Sequence, residues 1–518
     1  MIAEIRPDLI YPSSRLFLDY VAARETATEL FSLAPDGFNE AARRTQSSGR
    51  SRAALADALL EANRRLEASE RSIENIEALR EDSTLCVMGG QQAGFLGGPL
   101  YTLYKILSIV RLASSLAERL GRPVVPIFWL ATEDHDFTEI NRAVFLERDG
   151  GLRRLTFDWE GRGRPIEQLP ITPEVLAVLE EALSRFPQES PHRAILQPGD
   201  GDDYSTWHAR IWSRLFAKDG LILVEPRTIR PLAGSFFRNA LTRQADVSAA
   251  LDHGASHVRT AGYEPLLDPA SSGRLFRFDD EGRRTRINRA EGRTDEAAEH
   301  AERFSTDVAL RPLLVDSIFP TIARLLGPSE IAYHALLRPL YEMLEVPQPV
   351  AVPRSGYTLL AEAEAELLER LGLSAQEALA ETFDPSTAIA RMGSPELAAS
   401  FDRTKTDVEA ALRQLLPALT ELDPNLEGRW RQTVDHAYKG IDRLQDRARR
   451  ADLSRNGIAT QQVQRLKASL RPSGRPQERV LSVAHAISRF GVEWIHRLPG
   501  SERPDRFTHT AVTIRGGS

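Results

Sequence analysis

Leu85-Cys86-Val87-Met88-Gly89-Gly90-Gln91-Gln92-Ala93-Gly94-Phe95-Leu96-Gly97-Gly98-Pro99 opens the stretch, Leu85 to Asn141, whose order of elements decides the fold. Its first four apolar residues read as a short strand, the glycines and glutamines as a turn, and Pro99 as the start of a long helix. Proline lacks the N–H that would have no partner at a first helical position, and Gly98 can take whatever backbone angles the approach needs. From Leu100 the apolar residues Leu103, Tyr104, Leu107 and Val110 recur at helical spacing, and Ile106 and Ile109 widen the stripe to that of a buried helix. Gly121 and Pro123 close it. A second apolar run, Val124 to Leu130, leads to Glu133-Asp134-His135-Asp136. Strand, helix and strand in that order make one βαβ unit. In such units ligands sit beyond the carboxyl ends of the strands, where free helix N–H groups favour an anion. The glycine turn and the acidic tetrad both fall at that edge.

A chain of 518 residues exceeds one ordinary core, and 42% hydrophobic residues suffice to fill two or more structural units. The longest fully apolar run, about Val124 to Ala131, is far short of the roughly 20 residues that a membrane helix needs. Met1-Ile2-Ala3-Glu4 shows no basic region followed by an apolar one, so the expected location is cytoplasmic, without a membrane. A single cysteine, Cys86, excludes an internal disulfide framework and a cysteine-cluster metal site. Its place inside a strand predicts a buried, inert thiol. The net charge of −7 gives no general attraction to nucleic acid. Lysine occurs only at Lys105, Lys218, Lys405, Lys439 and Lys467, which makes Lys105, on the helix after the glycine turn, unusual.

Outward from this unit, residues 1–81 read as helical, with Leu55, Leu59, Leu66, Ile73, Ile76 and Leu79 marking apolar faces. Residues 142–215 and 251–310 read as insertions between core elements, the second with a hairpin between Leu275 and Arg286. Leu221 to Val224 reads as a third buried strand. Gly327-Pro328-Ser329-Glu330 repeats the Gly-Pro helix start, with Glu330 in the first turn where a carboxylate suits the dipole. The helix through Ile331, Leu336 and Leu340 leads to a strand at Pro349 to Val352. This alternation predicts an α/β fold with a doubly wound, mainly parallel sheet over residues 1–385. Beyond it, Leu397, Phe401, Val408, Leu412, Leu415 and Leu419, then Trp430, Val434, Ala437, Ile441 and Leu444, are spaced as a coiled-coil seam requires, with a turn at Asp423-Pro424. Residues 386–505 are therefore expected to form a helical coiled-coil domain, either an intrachain hairpin or a dimerisation arm. Residues 506–518 are expected to supply a strand returning to the core.

The glycine turn is no Walker loop, since no Gly-Lys-Ser/Thr ends it, and it lacks the G-x-G-x-x-G spacing. Turn formation alone would explain its glycines, but Gln91 and Gln92 add donors at a helix mouth, which suits a phosphate or carboxylate. Glu133 to Asp136 concentrates three carboxylates and an imidazole after a strand. Substrate-binding or catalytic polar residues, a solvated loop and a metal site are the alternatives, the metal lacking any second cluster of ligand spacing. Tyr333-His334 and Arg338 share a helix, where the tyrosine could simply pack and the arginine could meet an anion.

At these residues the chain resembles the bacillithiol biosynthesis cysteine-adding enzymes. The matching stretches are Gly90 to Gly94 with Gly98 to Thr102 and Lys105; Pro126 to Trp129 through Glu133 to Phe137; Gly327-Pro328 with Glu330 to Tyr333; Pro349 to Arg354; and Gln477 to Leu481. Met88-Gly89-Gly90 stands where the family more often has Thr-Gly. The resemblance implies a Rossmann-like core related to nucleotidylyl-transferase folds, a coiled coil that forms a homodimer, and ATP or ADP as cofactor, with no metal beyond magnesium accompanying the nucleotide. It also implies a ligase that joins cysteine to glucosaminyl malate through an amide. On that reading Gly89, Gly90, Gln91, Gln92, Gly97 and Gly98 hold the nucleotide. Lys105 stabilises negative charge, His135 with Asp134 and Asp136 orients substrate or moves a proton, and Glu133, Glu330, Tyr333 and Arg338 bind substrate. Two other readings stand beside it: a nucleotide-binding coiled-coil assembly protein without turnover, and a metal-dependent hydrolase built on Glu133 to Asp136.

Overall fold

A computed structural model describes residues 2–12, 14–46, 51–161, 163–288, 292–385, 395–455, 460–500, 503 and 505–515. By packing, 1–146, 152–359 and 475–518 form one unit, and 147–151 with 360–474 form the other. The helical unit thus begins at 360, and 475–505 belongs with the sheet. The expected boundary at 385/386 abuts residues 386–394, which lie outside the described residues.

The first unit is built on five strands: β1 (Leu85–Gln91), β2 (Val124–Leu130), β3 (Ile222–Val224), β4 (Thr321–Leu326) and β5 (Val350–Pro353). Every pairing is parallel, in the order β3-β2-β1-β4-β5. The chain runs outward from β1 in one direction, then returns beside β1 to run outward in the other, so the order reverses between β1 and β4. At that switch point neighbouring strands send their connections to opposite faces, which leaves a crevice at their carboxyl ends.

The helix after β1, α1 (Leu100–Leu120), buries Leu103, Tyr104, Ile106, Leu107 and Ile109 and ends at Gly121 in the left-handed conformation, φ 62°. By length and composition it could cross a membrane, yet 67% of its apolar window is buried inside the protein, where it packs on β1 and β2. Cys86 is fully buried in β1, as its position predicts.

Two local expectations are corrected, and one strand is added. β1 runs on through Gly89, Gly90 and Gln91, so the first two glycines are strand residues rather than turn residues. A Cβ at Gly90 would lie 2.9 Å from Cβ of Trp129, its register partner, and one at Gly89 would lie 2.9 Å from Ile109 Cδ1. The glycines are there for close packing. Second, the N-terminal stretch is not wholly helical: Ile2–Ile5 is a strand antiparallel to His509–Ile514, a pairing that no local pattern could reveal. That C-terminal strand does return to the core unit, but in a separate sheet with Ile2–Ile5 and the strand that begins at Gly356. Third, β4 carries Arg324 in an otherwise apolar run, which masks it in the sequence. Its guanidinium is buried against Asp316, and Tyr341 Oη donates to the same carboxylate at 2.6 Å.

The expected hairpin is present, Leu275–Phe278 pairing antiparallel with Arg284–Arg286. In the helical unit, Pro395–Arg413 and Leu426–Arg455 pack on one another, burying Val434 of the predicted seam and leaving Leu415 and Leu444 exposed. Trp430 Nε1 donates to Leu412 O at 2.7 Å, and Lys405 pairs with Asp442 at 2.6 Å.

Candidate active site

The switch point opens into a cavity of about 380 Å³. Its walls are the tips of β1 (Gly90, Gln91), β2 (Trp129) and β4 (Arg324 to Leu326), together with Arg311, Pro312 and Val315 of α2 (Arg311–Ile318) and Ser329, Glu330, Tyr333 and His334 of α3 (Pro328–His334). Glu139 and Gln92 complete the rim.

Lys105 stands behind this wall. Its ammonium is buried and donates to Gly90 O at 2.8 Å, Gln91 Oε1 at 3.0 Å and Glu330 Oε2 at 2.6 Å, so all three protons are placed. Burial holds its pKa below the usual lysine value, against the pull of Glu330. The same Glu330 oxygen accepts Gly327 N–H at 2.6 Å, which closes the first turn of α3. One carboxylate therefore ties the helix after β1 to the helix after β4.

Arg311 organises the other side. Its Nε donates to Glu133 Oε1 at 2.7 Å and its terminal nitrogen to Asp134 Oδ1 at 2.6 Å. Arg284 reaches Asp134 Oδ1 at 3.2 Å with its guanidinium 3.9 Å above the Phe276 ring, and Gln92 Nε2 donates to Asp134 Oδ2 at 2.9 Å. Burial alone would raise the Asp134 pKa, but Arg311 and Arg284 outweigh it and hold the carboxyl below its usual value. Glu139 is the contrary case: partial burial, then the nearby charges of Asp136 and Asp134, push its pKa up. His334 is buried, and desolvation followed by Arg324 and Lys105 depresses its pKa strongly, so its ring is neutral.

Of the residues singled out in the sequence, Gly90, Gln91, Gln92, Glu330 and Tyr333 line the cavity; Lys105, Glu133 and Asp134 hold its walls. His135 and Asp136 are exposed and are not in its lining. Arg338 lies on a separate surface, donating to Glu342 at 2.9 Å and to Glu29 O at 3.0 Å. Gly97 and Gly98 are buried away from the cavity, at φ 87° and 68°. The α1 N-terminus is closed as well: Leu100 N–H donates to Leu481 O at 3.0 Å, and Gly98 O accepts from Val483 N–H at 2.9 Å. The segment Leu481–Val483 crosses the helix mouth where an anion would have sat. The N-terminus of α1 therefore does not offer a phosphate site. Sequence reasoning passed over Arg311, Arg284, Arg324, Glu139 and Ser329. For Arg311 only the Arg-Pro helix start was visible, and nothing local marks it as the partner of a tetrad 177 residues away.

A parallel five-stranded sheet with a polar crevice at its switch point, followed by paired helices, defines a Rossmann-like protein with a coiled-coil domain. Residues 5–355 match the family description "Bacillithiol biosynthesis BshC, N-terminal Rossmann-like domain", and residues 357–514 match "Bacillithiol biosynthesis BshC, C-terminal coiled-coil domain". The chain belongs to this family. It is 30% identical to "Putative cysteine ligase BshC" of Geobacillus thermodenitrificans, over 99% of this chain and all of that one. It is 32% identical to the protein of the same name from Symbiobacterium thermophilum, over 86% of this chain and 87% of that one.

Proposed function

We propose that the protein is a cysteine ligase of bacillithiol synthesis that joins the cysteine carboxyl to the amine of glucosaminyl malate. The observation that supports this most directly is the switch-point crevice, where Glu139, a carboxylate of raised pKa, shares the lining with Trp129, Arg311 and Arg324. Amide formation needs an amine without its extra proton, and an acid–base group works best when its pKa lies close to the operating pH. Glu139 takes the proton released as the amine nitrogen bonds to the cysteine carbonyl carbon and the bond from that carbon to its leaving oxygen breaks. The Arg311–Glu133–Asp134 cluster keeps Gln92 and the crevice wall in place during that exchange. Activation of the carboxyl requires a co-substrate, for which ATP is the reading carried here. The mouth of α1 is not assigned to its phosphates, since Leu481–Val483 occupies it.

The metal-dependent hydrolase reading loses support because Glu133 and Asp134 are both engaged by guanidinium groups. Homodimerisation through the helical unit is also proposed, on the strength of Leu415, Leu422 and Leu444, which stand exposed along it. The ligase reading is tested by mass spectrometry of purified protein with cysteine, glucosaminyl malate and ATP. It expects the amide product with ATP consumption, and absence of product under saturating substrates would overturn it.

A further inference from the structure

Two buried N–H donors on the crevice wall have no acceptor among the described residues: Trp129 Nε1 and Arg324 Nε. Both side chains are more than nine-tenths buried, at 4% and 7% exposure. Their positions are fixed by the sheet. Trp129 is in register with Gly90, and Arg324 with Met88, two residues earlier on the same strand. Residues i and i+2 of a strand share a face, so both donors rise on the side covered by α2 and flank Gly90, against which Trp129 packs. Of the other donors at the wall, Lys105 has three acceptors, and Gln92 and Arg311 bond to the acidic tetrad. Arg324's charge is met by Asp316, so its spare Nε–H offers a directed hydrogen bond rather than an unbalanced charge.

Buried donors without acceptors are costly, and their presence together in one cavity wall marks groups kept for a ligand. We propose that Trp129 and Arg324 read oxygen atoms of the acceptor, its carboxylate end, and thereby seat that molecule on the Gly90 floor. Polyphosphate would instead call for uncompensated cations, whereas the cations of this wall are paired, Arg311 with Glu133 and Asp134, Arg324 with Asp316 and Lys105 with Glu330. The inference rests on the ligase reading only for the identity of the acceptor.

The test is Trp129→Phe, which keeps an aromatic ring and removes the N–H. KM for glucosaminyl malate is expected to rise roughly five- to tenfold, with kcat, the KM values for cysteine and ATP, and the melting temperature little changed. An unchanged acceptor KM, or an equal rise for ATP, overturns the proposal. A second measurement needs no turnover. In protein carrying 15N-labelled tryptophan, with 6 indole signals, the one missing in Trp129→Phe should move when glucosaminyl malate is added and stay still with ATP. Movement without product formation leaves the binding role standing and removes the ligase reading. Product formation with a stationary signal does the reverse.

Discussion

Lys105 Nζ lies 2.6 Å from Glu330 Oε2, so the helix that follows β1 and the helix that follows β4 are joined by one ion pair across the switch point. Lys105 is buried behind the crevice wall, and Glu330 lines the crevice with 25% of its side chain exposed. Removing one partner of a buried pair typically costs about 3–5 kcal/mol, and less where the remaining charge keeps contact with solvent, as that of Glu330 does. Lys105→Met should therefore lower the denaturant midpoint clearly and abolish product formation. Glu330→Gln, which keeps a side-chain oxygen for Lys105 and leaves no bare carboxylate, should destabilise less. Equal midpoints for wild type and Lys105→Met would show that the pair is not structural.

Among the described residues, Arg311 is the one group that bonds to both Glu133 and Asp134, and it does so with two short charge-assisted bonds. Arg311→Met strands the buried Glu133 carboxylate and leaves Asp134 with Arg284 alone, so the position of Asp134 that holds Gln92 is loosened. Activity should fall at least a hundredfold, a loss on the scale of about 3 kcal/mol, and thermal stability should fall with it. Arg311→Lys should recover stability in part but little activity, because an ammonium cannot reproduce the fork that spans two acceptors. Steady-state kinetics beside melting curves separate the two effects.

The sequence placed an imidazole at the centre of the tetrad, whereas the structure turns His135 outward and leaves Glu139 on the rim. Under the proposed chemistry His135→Ala should keep product formation within about threefold. Glu139→Gln, isosteric but unable to take a proton, should cost roughly a hundred- to ten-thousandfold in kcat. Because the Glu139 pKa is raised in the free protein, the acid limb of kcat/KM should titrate above the ordinary glutamate range and vanish in Glu139→Gln. A large loss in His135→Ala would return the proton-transfer role to the imidazole.

What could be read from residues alone follows from which interactions are local. The βαβ unit was legible because apolar spacing, Pro99 and Gly121 are neighbours in sequence and each constrains its own backbone. The motifs around Gly90 and Glu133 also pointed to the correct edge of the sheet. The meaning of the glycines was not legible, since Gly90 is small on account of Trp129 and Gly97 on account of Val483, partners that only the fold supplies. β4 escaped notice because a buried arginine resembles a surface residue until Asp316 and Tyr341 are known to stand opposite it. The strand at Ile2–Ile5 needed a partner more than 500 residues away.

Buried histidines set the acid sensitivity of the sheet unit. Burial pushes the pKa of His208 and of His485 down to about 3, and that of His509 down to about 4. His208 is held neutral as the acceptor of Trp212 Nε1–H at 3.0 Å. In the unfolded chain each would titrate near 6.5. Between that value and about 4 the unfolded state therefore binds more protons than the native state. Stability is full above pH 6.5 and is lost as pH falls, by about 1.4 kcal/mol per pH unit for each histidine. Glu478, paired with Arg354 in full burial, has its pKa lowered to about 2, because Arg354 outweighs the opposing effect of desolvation. It adds a second loss that begins near its ordinary value of 4.5 and ends near 2. Denaturant unfolding at pH 7.5, 6 and 5 should show a decline that steepens below 6.5, and His208→Gln should make it shallower by about 1.4 kcal/mol per unit. A flat profile between pH 7.5 and 5 would mean that these rings are already charged in the folded protein.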